Sequence, residues 1–261
     1  MDLELADDVA LVTASSAGLG YGSAEALAEA DANVVICGRD AEKLATAETA
    51  LEGVGAGRIV GVEADITDPD SIENLVQVAV DEFGGIDHLV TSAGGVPPGT
   101  FDDTTEKQWY GAYDMLVMSV VWTVKQAAPY LKESDAGTVT CITSTSVQEA
   151  IDGLVLSNAV RRGVIGLVKT LAQEYAPEVR ANAVLPGAHE TARIEELVED
   201  SVDRGEYDSY DEGLRSWADD IPLGRVGDPR ELGDVVAFLA SRRASFVNGV
   251  ALPVDGGRLR S

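Results

Sequence analysis

With 261 residues and 45% hydrophobic content, the chain can bury a sizeable core and fits one large α/β unit. A formal charge of −26 excludes a surface that tracks nucleic-acid phosphates, which needs clustered Lys and Arg. No apolar run reaches the roughly eighteen residues of a membrane span, and the opening MDLELADD is acidic where a signal peptide is basic and then apolar, so a cytoplasmic protein without a membrane partner is expected.

The acids are spread along the chain, and only five of the 19 basic residues are lysines: Lys43, Lys107, Lys125, Lys132 and Lys169. Surfaces of that kind resemble those of proteins from salt-loving organisms, where salt screens self-repulsion. A halophilic source is expected, the alternative being an ordinary acidic surface of a mesophile. Cys37 and Cys141 each lie in an apolar run, which makes them small core residues of a reducing compartment.

The elements alternate. VALVTA (Val9 to Ala14) predicts the first strand, followed by a helix over Tyr21 to Ala30; NVVICG (Asn33 to Gly38) precedes a helix over Ala41 to Glu52. RIVGVEAD (Arg58 to Asp65) leads to a helix over Pro69 to Phe83, and IDHLVTSAG (Ile86 to Gly94) to a long one over Glu106 to Lys132. GTVTCITS (Gly137 to Ser144) is followed by a helix over Leu154 to Tyr175. VRANAVLPG (Val179 to Gly187) precedes an acidic stretch, Thr191 to Pro222, which reads as a helical insert or lid. A helix over Arg230 to Ala240 and the strand GVALPVDGG (Gly249 to Gly257) close the chain. Strands apolar on both faces belong in a covered parallel sheet. The pattern predicts a Rossmann-type, doubly wound sheet of seven parallel strands in a three-layer α/β/α single domain spanning residues 1–261.

The first strand runs into TASSAGLG, Thr13 to Gly20, and then a helix, an arrangement that brings backbone N–H groups to a pyrophosphate. It recurs in company: VEAD before Ile66, TSAG ending at Gly94, ITS ending at Ser144, PGAHET from Pro186 to Thr191, and VDGG. From Val9 to Gly257 this ordered set resembles the short-chain dehydrogenase/reductase family, close to its 3-oxoacyl-ACP-reductase-like members. Ala14 stands where the family has its first glycine.

The resemblance implies a dinucleotide site. Thr13, Ser15, Ser16, Gly18, Leu19 and Gly20 form its phosphate turn, Asp65 and Ile66 its adenine side, and Ala93 and Gly94 the adenine ribose side. Pro186 and Gly187 belong to the same cofactor site, and Thr191 lies on the nicotinamide carboxamide. An NAD site usually ends its second strand with an acid for the ribose 2′-hydroxyl. Here Gly38 and then Arg39 occupy that place, which favours NADP(H), with NAD(H) possible; the alternative is an exposed arginine that merely opens a helix.

The resemblance also implies a catalytic set of asparagine, serine, tyrosine and lysine, the last two sharing one helix face. Ser144 matches the serine. Ser157 stands at the tyrosine, Arg161 at the lysine, and Leu116 at the asparagine when Trp109 is aligned with the family's tryptophan. A serine hydroxyl is far less acidic than a phenol, and arginine, with an ordinary pKa above about 12, keeps its charge but cannot feed a proton relay. Arg161 can still clamp ribose hydroxyls.

A replacement acid is sought among Tyr113, Asp152, His189 and Tyr207. Their bland readings are a core aromatic for Tyr113, a loop cap for Asp152 and an exposed loop residue for His189. His88 opens a strand, Trp109 and Trp122 suit a core face, Trp217 caps the insert, and no cluster has metal-ligand spacing. The expected function is an NADP(H)-preferring oxidoreductase acting on a small carbonyl or alcohol, with Ser144, Ser157, Arg161 and Tyr113 as the catalytic candidates. The rival is a dinucleotide-binding homologue without turnover, a sensor or an assembly subunit; a weaker third reading is a non-redox lyase or hydrolase. The resemblance suggests a homotetramer, or a homodimer, built through the long helices and the last strand.

Overall fold

A computed structural model describes residues 2–260; Met1 and Ser261, within the expected span 1–261, lie outside the described residues. Seven strands form one parallel sheet: β1 (Val9–Val12), β2 (Asn33–Gly38), β3 (Ile59–Glu63), β4 (His88–Thr91), β5 (Thr138–Ile142), β6 (Arg180–Pro186) and β7 (Ala251–Val254). Their spatial order is β3-β2-β1-β4-β5-β6-β7. The chain reverses direction across the sheet between β1 and β4, and a crevice opens there at the C-terminal ends of the strands.

The helices are α1 (Gly18–Glu29), α2 (Ala41–Leu51), α3 (Pro69–Phe83), α4 (Glu106–Tyr113), α5 (Ser119–Glu133), α6 (Val155–Val160), α7 (Arg162–Glu174), α8 (Ala192–Asp203), α9 (Tyr210–Ala218) and α10 (Pro229–Ala240). Alternation along the strands distributes them into two layers. On β1, Ala10 and Val12 enter a core with Leu27 of α1, Leu44 of α2 and Val236 of α10, while Leu11 enters the opposite core with Leu75 of α3, Val124 of α5 and Val168 of α7. Both faces are therefore covered, as continuously apolar strands require.

Cys37 and Cys141 are free and buried in the second of these cores. Burial pushes each thiol up to about 11, which makes both inert. His88 opens β4 fully buried, with Nδ1 2.9 Å from Thr138 Oγ1 and Nε2 3.1 Å from Asp8 Oδ2.

Two expected helices are interrupted. The run from Glu106 divides at a π-helical turn, Asp114–Met118, between α4 and α5. The run from Leu154 divides into α6 and α7 at Arg161. Trp109 and Trp122 are only partly buried, short of a full core role. The acidic stretch supplies α8 and α9, and Trp217 lies within α9 instead of capping it.

Candidate active site

A cleft follows the C-terminal edge of β1, β2 and β3, lined by Ala14, Ser16, Gly38, Arg39, Asp65, Ile66 and Gly94 among others. Its shape depends on close backbone approach. A Cβ on Gly20 would lie 2.4 Å from Ala14 O, so that position admits no side chain, and one on Gly38 would lie 2.7 Å from Ser16 Oγ, so a side chain there requires Ser16 to move. Helix α1 begins at this cleft from Ala17 with no side-chain cap and no acid in its first turn. Helices α2, α3 and α10, by contrast, are capped by Asp40, Asp68 and Asp228. The free N–H groups and positive end of α1 are thus available to an anion.

Not every residue of TASSAGLG serves the cleft with its side chain. Thr13 Oγ1 donates to Ser92 O (2.7 Å) and accepts from Ser92 N (2.9 Å), which ties β1 to the segment after β4. Ser15 is fully buried, its hydroxyl donating to Val12 O and accepting from Cys37 N. Both hydroxyls are thus consumed in joining strands, which leaves the backbone of these two residues as what they can offer the phosphate turn. Gly18, at φ +61°, brings the turn to Thr191, whose Cγ2 lies 3.6 Å from where a Cβ would stand. The phosphate turn and the residue expected at the carboxamide are therefore neighbours.

At the adenosine end, Arg39 and Asp65 approach at 3.9 Å, both well exposed. Asp65 Oδ1 also accepts from Thr67 N and Thr67 Oγ1. Burial acts to raise this carboxyl, but the Thr67 bonds and the Arg39 charge prevail and hold it below the usual carboxylate range. Lys43 lines the same cleft, and sequence reasoning did not single it out.

At the chemical end, Ser144 starts a 3-10 turn, Thr145–Val147, and its Oγ accepts from Ser146 N at 3.1 Å. Ser157, 7% exposed, points its hydroxyl at Ser146 Oγ, 3.0 Å away, and Ser146 is fully buried. Ser146 was missed because only folding shows which hydroxyl lies opposite Ser157. Asn158 holds the preceding loop by both donating to Ile151 O and accepting from Ile151 N.

Arg161 donates from one terminal nitrogen to Thr143 O (3.3 Å) and from the other to Gly94 O (3.4 Å), while its Nε is enclosed without a partner. Burial draws the guanidinium down to about 10, against the expected value above 12. It remains charged at neutral pH, so its part is that of a cation. Leu116 is 2% exposed inside the π-helical turn, where it can bind no water.

The other candidates stand elsewhere. Tyr113 is 49% exposed and makes no hydrogen bond among the described residues, so it is not a core aromatic. Asp152 is exposed, and α6 has no side-chain cap, so it does not cap that helix. His189 is buried, contrary to its reading as an exposed loop residue. Its ring packs on Gly227, and Nδ1 donates to Gly187 O at 3.3 Å; burial pushes its pKa below the ordinary value. Tyr207 accepts from Ser216 Oγ at 2.9 Å inside the insert. No group of metal-ligating side chains occurs among the described residues, and none of their helices is long and apolar enough to cross a membrane.

A parallel sheet in this order, with an uncapped first helix at its switch point, defines a protein of the doubly wound, Rossmann-type class. Residues 13–258 match the family model described as enoyl-(acyl carrier protein) reductase. The chain is 32% identical over 255 residues to dehydrogenase/reductase SDR family member 4 of Homo sapiens, covering 97% of this chain and 88% of that one. In structure it is similar to the L-sorbose reductase of Gluconobacter frateurii complexed with NADPH and L-sorbose, with a TM-score of 0.95, 28% identity and 100% of both chains covered. It is also similar to an NADPH-bound short-chain oxidoreductase of Pseudomonas aeruginosa PAO1 that contains an atypical catalytic center, with a TM-score of 0.89, 30% identity, and 98% of this chain and 99% of that one covered. The chain belongs to the short-chain dehydrogenase/reductase family, and by that membership it is an oxidoreductase.

Proposed function

We propose that this protein is an NADP(H)-preferring oxidoreductase that interconverts a ketone and a secondary alcohol. The observation that carries the reading is the placement of Arg161, whose guanidinium spans Thr143 O, next to Ser144, and Gly94 O, on the cofactor wall. The N-terminus of α1 would receive the pyrophosphate, Asp65 and Ile66 the adenine, Arg39 the 2′-phosphate, Arg161 the nicotinamide ribose and Thr191 the carboxamide. When bound, the dihydronicotinamide supplies a hydride to the substrate's carbonyl carbon.

The chain's own residues position and polarise. Ser144 Oγ orients the carbonyl, and the enclosed charge of Arg161 favours negative charge developing nearby. Ser157 is occupied with Ser146 and offers no phenol-like acid. With no side-chain acid at hand, the alkoxide left by hydride transfer would take its proton from solvent water. A missing general acid typically lowers the rate by ~10²–10⁴, whereas placing two reactants is worth roughly 7–11 kcal/mol, so slow turnover is the expected outcome. Beside Thr145 lies a second cleft lined by Glu149, Asp152, Asp220, Arg258 and Arg260, a wall suited to a polar substrate; polyhydroxylated ketones are the first to test.

A second reading, a dinucleotide-binding homologue without turnover, is favoured by one observation: Tyr113, Asp152, His189 and Tyr207 all stand in contacts or exposures of their own. One experiment separates the two. NADPH binding is followed by fluorescence, and turnover by absorbance in molar salt, as NADPH oxidation with ketoses and simple ketones and as NADP⁺ reduction with alcohols. Turnover of one ketone supports the enzyme; NADPH binding with no turnover supports the second reading, and absence of NADPH binding removes both. A homotetramer, a cytoplasmic location and a halophilic source complete the proposal, the last resting on the net charge of −26 and the scarcity of lysine.

A further inference from the structure

We infer that Lys43 is a specificity-determining residue, the second cation of a clamp with Arg39 that selects a ribose 2′-phosphate. The inference rests on the NADP(H) reading above and names a residue that reading does not contain. Lys43 lines the same cleft wall as Ser16, Gly38, Arg39 and Asp65. It occupies the third position of α2, after the cap Asp40, Ala41 and Glu42. A cation in the first helical turn lies at the positive end of the dipole, where the backbone disfavours it. This chain has only five lysines among 261 residues. One of them stands at a position the helix disfavours and faces the cleft.

The surrounding acids are committed to other partners. Asp40 turns its Oδ1 to Glu42 N and Lys43 N, both 3.1 Å away, as the cap of α2. Asp65 engages Thr67 and, at 3.9 Å, Arg39. Lys43 makes no ion pair among the described residues, so its charge is available to a ligand. Gly38 carries no acid that would repel a phosphate, and Ser16 Oγ stands 2.7 Å from where its Cβ would be. Two cations and a serine hydroxyl thus surround the place where a 2′-phosphate, and not a 2′-hydroxyl, has its ligands.

The test uses the whole protein and two probes that need no catalysis, 2′,5′-ADP and 5′-ADP, titrated calorimetrically into wild type, Lys43→Gln and Lys43→Arg at one salt concentration. Lys43→Gln should weaken 2′,5′-ADP by roughly tenfold and leave 5′-ADP unchanged, as expected for losing one charge-assisted contact. Lys43→Arg should restore most of the affinity. If wild type prefers 2′,5′-ADP and Lys43→Gln keeps that preference undiminished, the inference fails alone. Equal weakening of both probes also overturns it, since Lys43 would then act on the common ADP part. Wild type that binds both probes equally overturns the NADP(H) reading and this inference with it.

Discussion

Ala14 holds a left-handed conformation, φ +47°, at the turn where the family has glycine. For an L-residue that conformation costs roughly 1–2 kcal/mol, which glycine avoids, while glycine adds about 0.4–1 kcal/mol of unfolded-state entropy. Ala14→Gly should therefore stabilise the protein by about 0.5–1 kcal/mol, or about 1–4 °C in Tm for a chain of this size. Thermal melts at fixed salt check this; a lower Tm would show that Ala14 is held without strain. The sequence flagged the alanine because the neighbouring glycines define the turn. It did not show that Thr13 and Ser15 face the sheet or that His189 is covered by Gly227, because each depends on a partner remote in the chain.

Period and composition were enough to place all seven strands and most of the helices, since strands covered on both faces are apolar throughout and the helix starts carry Asp, or Asp followed by Pro. The π-helical turn around Leu116 was not legible, because one extra residue in a turn only slips the helical period. The join between α6 and α7 was equally hidden, and it falls between the two residues that stand at the family's tyrosine and lysine positions. Ser157 and Arg161 stay one turn apart across it, with Arg161 N donating to Ser157 O at 3.2 Å. Restoring the family pair by Ser157→Tyr with Arg161→Lys would remove the hydroxyl partner of fully buried Ser146, at about 1–3 kcal/mol, and force a phenol into space shaped for serine. The double variant should melt lower and lose activity on the native substrate, with the two changes non-additive because they share one helix face. A clear gain in reduction of a generic ketone, at unchanged NADPH affinity, would show instead that the pocket kept the family's geometry and lost only its acid.

At the scale of the whole molecule, a net charge of −26 opposes association, so any oligomer must be held by apolar faces and helped by salt. The exposed large apolar residues fall largely in two regions of the chain. In the C-terminal part of the chain, Phe246 is fully exposed, and Phe238 of α10 and Leu252 of the edge strand β7 are 37% and 38% exposed. Phe101, Tyr110 and Tyr113 form the other group, along α4 and the segment before it. A tetramer with dihedral symmetry needs at least two separate self-complementary faces, whereas a dimer needs one, and the tetramer proposed above would draw them from these two groups. In salt of about 2 M, where the Debye length falls to roughly 3 Å or less, light scattering should give four times the 27.3 kDa chain mass. Lowering the salt to about 0.1 M should favour dissociation, because the screening length rises to about 10 Å. Phe246→Asp should leave a dimer joined through the α4 side, since it places a charge in one patch and spares the other. A monomer in molar salt would remove the tetramer, and a Phe246→Asp variant that remains tetrameric would remove the edge-strand face from it.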